Sequence, residues 1–571
     1  MRPPDRPPVR VVGRSLVLVA AAVLLVAATL GGCFDGGSDD PQSFDGEGLV
    51  ERAEIVAGPN STLSAELTVD AASNVALAVV ATGDDRTIRV PTPSEPTASQ
   101  TIPVVGLRAE TTYDVEVVAE DATGTTETVD LSFRTGRLPE DLPPLTVDVS
   151  DPERMDPGTT IFNARFWGPP EDSDLEVEPR EDNGYIVAVD DEGNVVWYYR
   201  TRLEVTDVSA TPRGTLLVSV HDVMLREIDV LGHTIREWGS RVATDYAVRD
   251  FAGNEYASEL TEPIPVDSAH HELSELATGN LITISTEVVE LPDGAGDLLC
   301  PDDPPERVIS DVIVELRPDG TVVEEWPLTD YFDPVQRPGA EMCAEHQPFA
   351  PPNWFYPEAG DTRDWTHANA AAVDETTNTL MVSIRHLDSV IGIRYRDDDE
   401  GPAGELKWDL SEEGTLELVG NGEWPRHQHA VEPQADGTIL LYDNGNNRPG
   451  TTLAGGDEPP YSRAVQYRVD EQAATVEEVW EHRDVADDGA PVYARFLSDA
   501  DRLANGNVLV THGGASTRDD VLYARLVEVV PGSEGDDDEV VFDLVVGDRE
   551  ALGWTVYRAG RLPPGFFASS R

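Results

Sequence analysis

In residues 49–136, and again from 183 onward, apolar and polar residues alternate in short runs, the period of a strand with one buried face. Leu63-Ser64-Ala65-Glu66-Leu67-Thr68-Val69 and Val75-Ala76-Leu77-Ala78-Val79-Val80 are examples from the first region. Turn signals separate the runs, among them Asp191-Glu192-Gly193-Asn194 and Arg317-Pro318-Asp319-Gly320, which supply the positive φ that tight hairpins need. Neither region carries the apolar period of a helix, so the pattern predicts an all-β protein in two parts. Pro139, Pro143 and Pro144 mark the linker between them.

In the second region one unit recurs: an inner strand after a Gly-rich turn, then an outer strand pair ending near an aromatic residue, usually Trp. It is found at 184–197, 214–238, 279–326, 379–408, 437–480 and 506–542. Six such units predict a six-bladed β-propeller over 150–556. A seven-bladed ring or a pair of sandwiches is the alternative. The Trp residues read as blade packing, and the unequal spacing as insertions, the largest at 289–307 and 330–363. In the first region, Leu107-Arg108-Ala109-Glu110-Thr111-Thr112-Tyr113-Asp114-Val115-Glu116-Val117 resembles the tyrosine-corner strand of a fibronectin type III domain. Residues 49–138 are therefore expected to form a small fibronectin III-like β-sandwich, a spacer or an assembly surface and a candidate contact for a homodimer.

Aligning the units on the first apolar residue of the strand (Leu216, Leu281, Leu380, Ile439, Val508) brings out a second regularity. His271 and His429 stand ten residues upstream of Leu281 and Ile439, and His367 thirteen upstream of Leu380, behind a longer turn. Five residues downstream come His221, Thr286, Arg385 and Asn444. Innermost strands of a propeller surround one axis, so equivalent positions converge. His271, His367, Arg385 and His429 are expected to meet as catalytic residues, with Asn444, His221 and Thr286 as substrate-binding candidates. Only one of His270 and His271 should face inward, and of His427 and His429 the former is the candidate for an exposed position. A single His at a strand end reads most simply as a rim residue bonded to a loop; the coincidence of register argues for a site.

Arg offers a planar fork that matches an oxyanion such as sulfate or phosphate. Neutral imidazole is a competent nucleophile at pH 7, and its adduct is labile enough to pass a group onward. Further His can donate to a leaving phenolate or polarise the oxygens. Such a nucleophile should lose activity on the acid side near the usual imidazole pKa of about 6.5. Paired His could instead bind a metal, but no metal ligands are assigned and no cofactor is called for. No nearby carboxylates are arranged for magnesium, which disfavours a two-metal phosphatase.

With 571 residues the chain exceeds one ordinary core, in keeping with two domains. Residues 1–33 read as an export signal: Arg2, Arg6, Arg10 and Arg14 precede the apolar run 15–30, which ends Leu30-Gly31-Gly32-Cys33. That ending is similar to a bacterial lipobox, which implies a lipidated Cys33 and an extracytoplasmic protein held at a membrane by the Gly/Ser/Asp tether 34–48. An uncleaved membrane anchor is the alternative, though the apolar run is short for one. Cys300 and Cys343 then remain, lack metal-ligand spacing, and are expected to pair as a disulfide. The net charge of −67 comes from 108 acidic against 41 basic residues, of which Lys407 alone is lysine. This excludes nucleic acid as a partner and describes a solvated carboxylate surface suited to high salt.

Several segments together resemble the bacterial arylsulfotransferase (aryl-sulfate sulfotransferase) family. They are Asp364-Trp365-Thr366-His367-Ala368-Asn369, Ser383-Ile384-Arg385-His386, Gln428-His429, Tyr442-Asp443-Asn444-Gly445-Asn446-Asn447-Arg448 and Ser462-Arg463-Ala464-Val465-Gln466-Tyr467. The resemblance covers about 180–550. It implies a small β-sandwich before a six-bladed propeller, and transfer of a sulfuryl group from aryl sulfates to phenols without a nucleotide-activated donor. The family's transiently sulfated His falls on His429, its supporting His on His271 and His367, and its sulfate-binding Arg on Arg385. The doubled His270-His271 departs from the pattern. The rivals are a hydrolytic sulfatase using the same pocket and a non-enzymatic propeller binding carbohydrate or protein, with a quinone-cofactor dehydrogenase propeller third.

Overall fold

The computed structural model describes residues 42–84, 86–168, 184–201, 204–244, 258, 260–343, 362–486, 489–517, 521–532, 538–548 and 553–567, with the backbone of 569–570. The expected leader 1–33 with Cys33, and the tether up to residue 41, lie outside the described residues.

The N-terminal part is a curled sheet in which the 19-residue strand Ala65–Gly83 runs through both layers. Its first half pairs with Val50–Ala57 and Thr97–Val104, its second with Arg86–Val90 and Thr112–Asp121. The two layers of the expected sandwich are thus one continuous sheet closed over a single apolar cluster. The tyrosine corner is present: the Tyr113 hydroxyl accepts from the Arg108 backbone N–H at 2.9 Å. Arg86 and Arg108 both reach Asp190 of the first propeller blade, at 2.8 and 2.7 Å.

The remainder is a six-bladed β-propeller. Blades 2 to 6 open with Val205–Ala210, His270–Glu275, Ala368–Asp374, His429–Pro433 and Asp499–Arg502. Blade 1 is built from both ends of the propeller chain: Thr159–Gly168 pairs outward with Gly184–Val189 and inward with Gly553–Thr555 and Ala559–Leu562. Leu145–Ser150 likewise adds an outer strand to blade 6. The strands aligned above as innermost are the second of each blade. The innermost is the hairpin partner before it, and these opening strands face the axis. Alternation and turn signals identify the hairpin but do not say which arm lines the channel; small residues such as Ala370, Ala371 and Ala372 do.

Each wedge between neighbouring blades holds its own apolar cluster. The aromatic residue ending each repeat lies in one wedge: Trp197, Trp238, Trp326, Trp408, Trp480 and Phe542. Four of the indoles also donate to the hairpin turn of the next blade. Trp197 bonds Val230 O at 2.7 Å, Trp238 bonds Pro318 O at 3.2 Å, and Trp408 and Trp480 reach Glu471 and Asp538, both at 3.3 Å. The tryptophans are therefore blade packing, as the repeat implied. Cys300 and Cys343 form the expected disulfide.

Blade 5 carries a buried ion pair beside the site. Asp443, fully buried, accepts from Arg463 Nε at 2.9 Å, Arg448 Nη2 at 2.5 Å, and the backbone N–H groups of Arg426 (2.9 Å) and Gly445 (3.1 Å). Removing its carboxylate takes the one fully buried partner from two buried guanidinium groups and leaves them the more exposed Glu423, Glu478 and Glu481, so Asp443→Ala is expected to lose about 3 kcal/mol in denaturant unfolding. Arg468→Ala, at an exposed pair with Glu477, should change stability by less than about 0.5 kcal/mol. Equal effects of the two substitutions would refute the assignment.

Candidate active site

The opening strands of blades 3, 4 and 5 each begin with a shift in pairing register: between His270 and Leu273, between Ala368 and Ala370, and between His429 and Val431. Bulges of this kind re-aim side chains at a barrel rim. Beside each, one non-glycine residue takes a left-handed backbone: His271 (φ 62°), His367 (φ 51°) and Ala430 (φ 52°). Each costs on the order of 1 kcal/mol or more, held by the surrounding sheet. The rings they turn inward assemble one site. His271 and His367 stand 5.2 Å apart edge to face, and Tyr557 lies 5.5 Å from His271 and 6.2 Å from His429.

His429 is held in one tautomer. Both amide hydrogens of Asn444 are committed, to Ala494 O at 2.8 Å and Leu497 O at 3.1 Å. Its Oδ1, 2.7 Å from His429 Nδ1, must therefore accept, so Nδ1 carries the proton and Nε2 the free lone pair. Burial, and then the charges of Arg385, His367 and Arg558, hold this imidazole well below its usual pKa, against the bond to Asn444 that favours the proton. The acid limb expected near 6.5 thus moves to lower pH. Arg385 is 3% exposed and bonds Glu341 at 3.2 Å and Arg495 O at 3.4 Å; its buried Nε has no hydrogen-bond partner among the described residues.

Of the doubled histidines, His271 faces the site and His270 stands behind it. His270 Nε2 lies 3.3 Å from Asp311 and its Nδ1 is 2.6 Å from His271 Nδ1. Burial opposes a proton on His270, but Asp311 prevails and raises its pKa; burial, then His270, His367, His429 and Arg558, hold His271 well below 6.5. His367 Nδ1 is 2.5 Å from Asp364 Oδ2. His427 is buried rather than exposed and bonds Asp388 at 2.8 Å. Of the substrate-binding candidates, Asn444 is committed to orienting His429, His221 faces Glu204 at 3.5 Å, and Thr286 bonds Ser268 at 2.8 Å.

The sequence reading missed several participants. Tyr557 and Arg558 sit where the closing strand is interrupted, their backbone N–H groups both bonded to Asn163 Oδ1 at 2.9 and 3.1 Å. Glu341 arrives on the second insertion, two residues before the disulfide at Cys343. Asp364 and His386 lay in the quoted segments and His427 beside one, but none had a register partner to mark it. Carboxylates do converge further along the channel, in a cavity of about 540 Å³ lined by Asp207, Glu272, Glu432, Asp499 and Asp501 around Arg558. Burial pushes Asp207 and Asp499 up to about 7.

A propeller channel with buried neutral imidazoles around an arginine has the chemistry to hold an oxyanion and to transfer a group. Residues 146–558 match the family described as Arylsulfotransferase (ASST), and residues 57–136 the Arylsulfotransferase Ig-like domain. The chain belongs to the arylsulfotransferase family. It is 26% identical over 249 residues to arylsulfate sulfotransferase AssT of Escherichia coli O6:H1, spanning 36% of this chain and 40% of that protein. To AssT of Lelliottia amnigena it is 25% identical over 218 residues, spanning 31% of this chain and 35% of that one. The matches therefore cover less than half the length of either curated relative. Among solved structures, a protein of unknown function from Bacteroides caccae overlays with a TM-score of 0.36 at 13% identity, covering 70% of this chain and 99% of that one, a likeness too slight to bear on function.

The strand pairing with His429 is buttressed by blade 6 and the segment leading to it. Tyr442, paired with His429 in the sheet, bonds His512 Nδ1 at 2.7 Å. His512 Nε2 meets Asp484 at 2.8 Å, Asp484 meets His482 Nε2 at 3.1 Å, and His482 Nδ1 meets Asp538 at 2.7 Å. Burial works against a proton on His482, but the two carboxylates raise its pKa to about 9. A raised pKa gives stability that is fully present below the unfolded value of about 6.5 and lost as pH climbs through about 9. Wild type is therefore expected to lose about 3 kcal/mol relative to His482→Gln across that window, measured by denaturant unfolding at each pH. Parallel pH profiles for the two proteins would rule the clasp out.

Proposed function

We propose that this chain is an aryl-sulfate sulfotransferase that moves a sulfuryl group from a phenolic sulfate ester to a phenol through a sulfohistidine at His429, with no nucleotide-activated sulfate. The observation that carries this reading is the tautomer imposed by Asn444, which leaves His429 Nε2 as a permanently available lone pair beside the buried cation Arg385. Nε2 attacks sulfur as the bond from sulfur to the aryl oxygen breaks, with Arg385 and His367 holding the sulfuryl oxygens. The departing phenolate takes a proton from His271 Nε2, while His271 Nδ1 is resupplied by His270, where Asp311 favours a proton. The acceptor phenol then attacks the same sulfur, the bond from nitrogen to sulfur breaks, and the phenolic proton returns through His271 to His270. Atoms and charge balance over the cycle, which needs neither metal nor reductant. The disulfide supports an oxidising compartment, in keeping with export and a lipid anchor at Cys33, outside the cytoplasm.

The test is intact-mass analysis of residues 34–571 mixed with an aryl sulfate and no acceptor. One added sulfuryl group is expected, mapped to the peptide holding His429, discharged by added phenol and absent in His429→Asn. Steady phenol release without an adduct would make the chain a hydrolase; neither adduct nor turnover would leave a binding propeller. In the pH profile of the first half-reaction, the acid limb should fall below about 6.5, because the usual imidazole value is lowered. Arg385→Gln should be slower and should move that limb to higher pH, since the cation opposing protonation of His429 is gone. An unmoved limb would detach Arg385 from His429.

A further inference from the structure

Asp364, His367 and His386 reach the same point from three different elements: the short strand Thr362–Asp364, the bulge before Ala368–Asp374, and the 3₁₀ turn Arg385–Leu387. One donor atom from each lies within 4.8 Å of the others. His367 Nδ1 and Asp364 Oδ2 are 2.5 Å apart, His386 Nδ1 and Asp364 Oδ2 are 3.9 Å apart, and the two rings stand 4.7 Å apart. The side chains of Asp364, His367 and His386 are 6, 11 and 4% exposed, so the set is built into the wall.

His386 shows why this cluster wants a cation. Its Nδ1 faces Asp364, 3.3 Å from the backbone oxygen and 3.9 Å from the carboxylate, and its Nε2 faces Glu341 Oε2 at 3.6 Å. Both ring nitrogens point at acceptors, yet a neutral imidazole has one hydrogen to give. If Nε2 donates to Glu341, the Nδ1 lone pair confronts the Asp364 carboxylate across a gap of bridging size. A zinc-type ion sits about 2.0–2.2 Å from imidazole nitrogen and carboxylate oxygen, so two such bonds span 3.9 Å with a bent angle at the metal.

We propose that Asp364, His367 and His386 bind a divalent transition-metal ion of the zinc class, and that its occupancy inhibits the enzyme. Two imidazoles and a carboxylate select zinc, cobalt or nickel over magnesium or calcium, which prefer oxygen donors. Three protein ligands leave a fourth position for water or a substrate oxygen. The inhibitory clause rests on the transferase reading: a metal on His367 Nδ1 displaces its bond to Asp364 and withdraws the ring from the sulfuryl oxygens. The binding clause stands without it. In sequence the three ligands carry no recognisable metal spacing, and only the fold gathers them.

The experiment uses the metal-stripped full-length protein and Co²⁺ as a visible reporter, with Zn²⁺ titration calorimetry alongside. One equivalent of Co²⁺ should produce d–d absorption of a low-coordinate nitrogen and oxygen site, displaced by Zn²⁺. Affinity should fall by more than about 100-fold in both His386→Gln and Asp364→Asn. Turnover of an aryl sulfate should fall as Zn²⁺ binds and recover with a chelator. His386→Gln, its rate compared with its own metal-free rate, should lose the inhibition as Zn²⁺ is added. Absent Co²⁺ bands, or binding that persists in both variants, would place any bound metal on the acidic surface and overturn the proposal. Bands without turnover in wild type would keep the site and defeat the transferase reading instead. Bands with turnover insensitive to Zn²⁺ would overturn the inhibitory clause alone.

Discussion

Six sheets share an axis only if the ring they form is shut, and here the closure is made by pairing Ala559–Leu562 and Gly553–Thr555 with Thr159–Gly168. Every later feature depends on that pairing. It brings Tyr557 and Arg558 to the channel from the far end of the chain, and it fixes the radial positions of the opening strands whose bulges present His271, His367 and His429. The tryptophans reinforce closure one wedge at a time, packing in one blade and bonding the turn of the next.

Within that frame the protein keeps two imidazoles neutral and surrounds them with charge. Burial and neighbouring cations suppress protonation of His271 and His429. Carboxylates stand one layer further out, where Asp364, Asp311 and Asp388 each hold a histidine other than His271 and His429. Under the proposed function, this layering lets a chain of net charge −67 hold an anion. The field of the surface is screened by salt over about 10 Å, whereas Arg385, 3% exposed, acts at short range in a medium of low dielectric.

The disulfide matters for the same site rather than for the domain at large. It anchors the insertion that carries Glu341. That carboxylate lies against Arg385, His386 and His427 at 3.2, 3.6 and 3.3 Å. Burial alone would raise its pKa, but these partners hold it below the usual range, so it stays charged and fixes the arginine's fork.

The sequence by itself determined the repeat, and with it the all-β class, the number of blades, the packing role of the tryptophans and the histidines in register. Period-two alternation and turn chemistry are local, and equivalent places in a repeat must occupy equivalent places in a ring. The tertiary structure decided what repetition leaves free. It chose His271 over His270 for the site, because a bulge and a left-handed φ turn the second ring inward. It made Asn444 a partner of His429, because Ala494 and Leu497, on the approach to blade 6, take its amide hydrogens and leave Oδ1 to accept. It also drew in Glu341 and Tyr557, one on an insertion and one on the closing strand, neither of which any register could mark. Contacts within a repeat are written in its period, whereas contacts between blades and across the closure join residues with no fixed spacing, and only the folded ring brings them together.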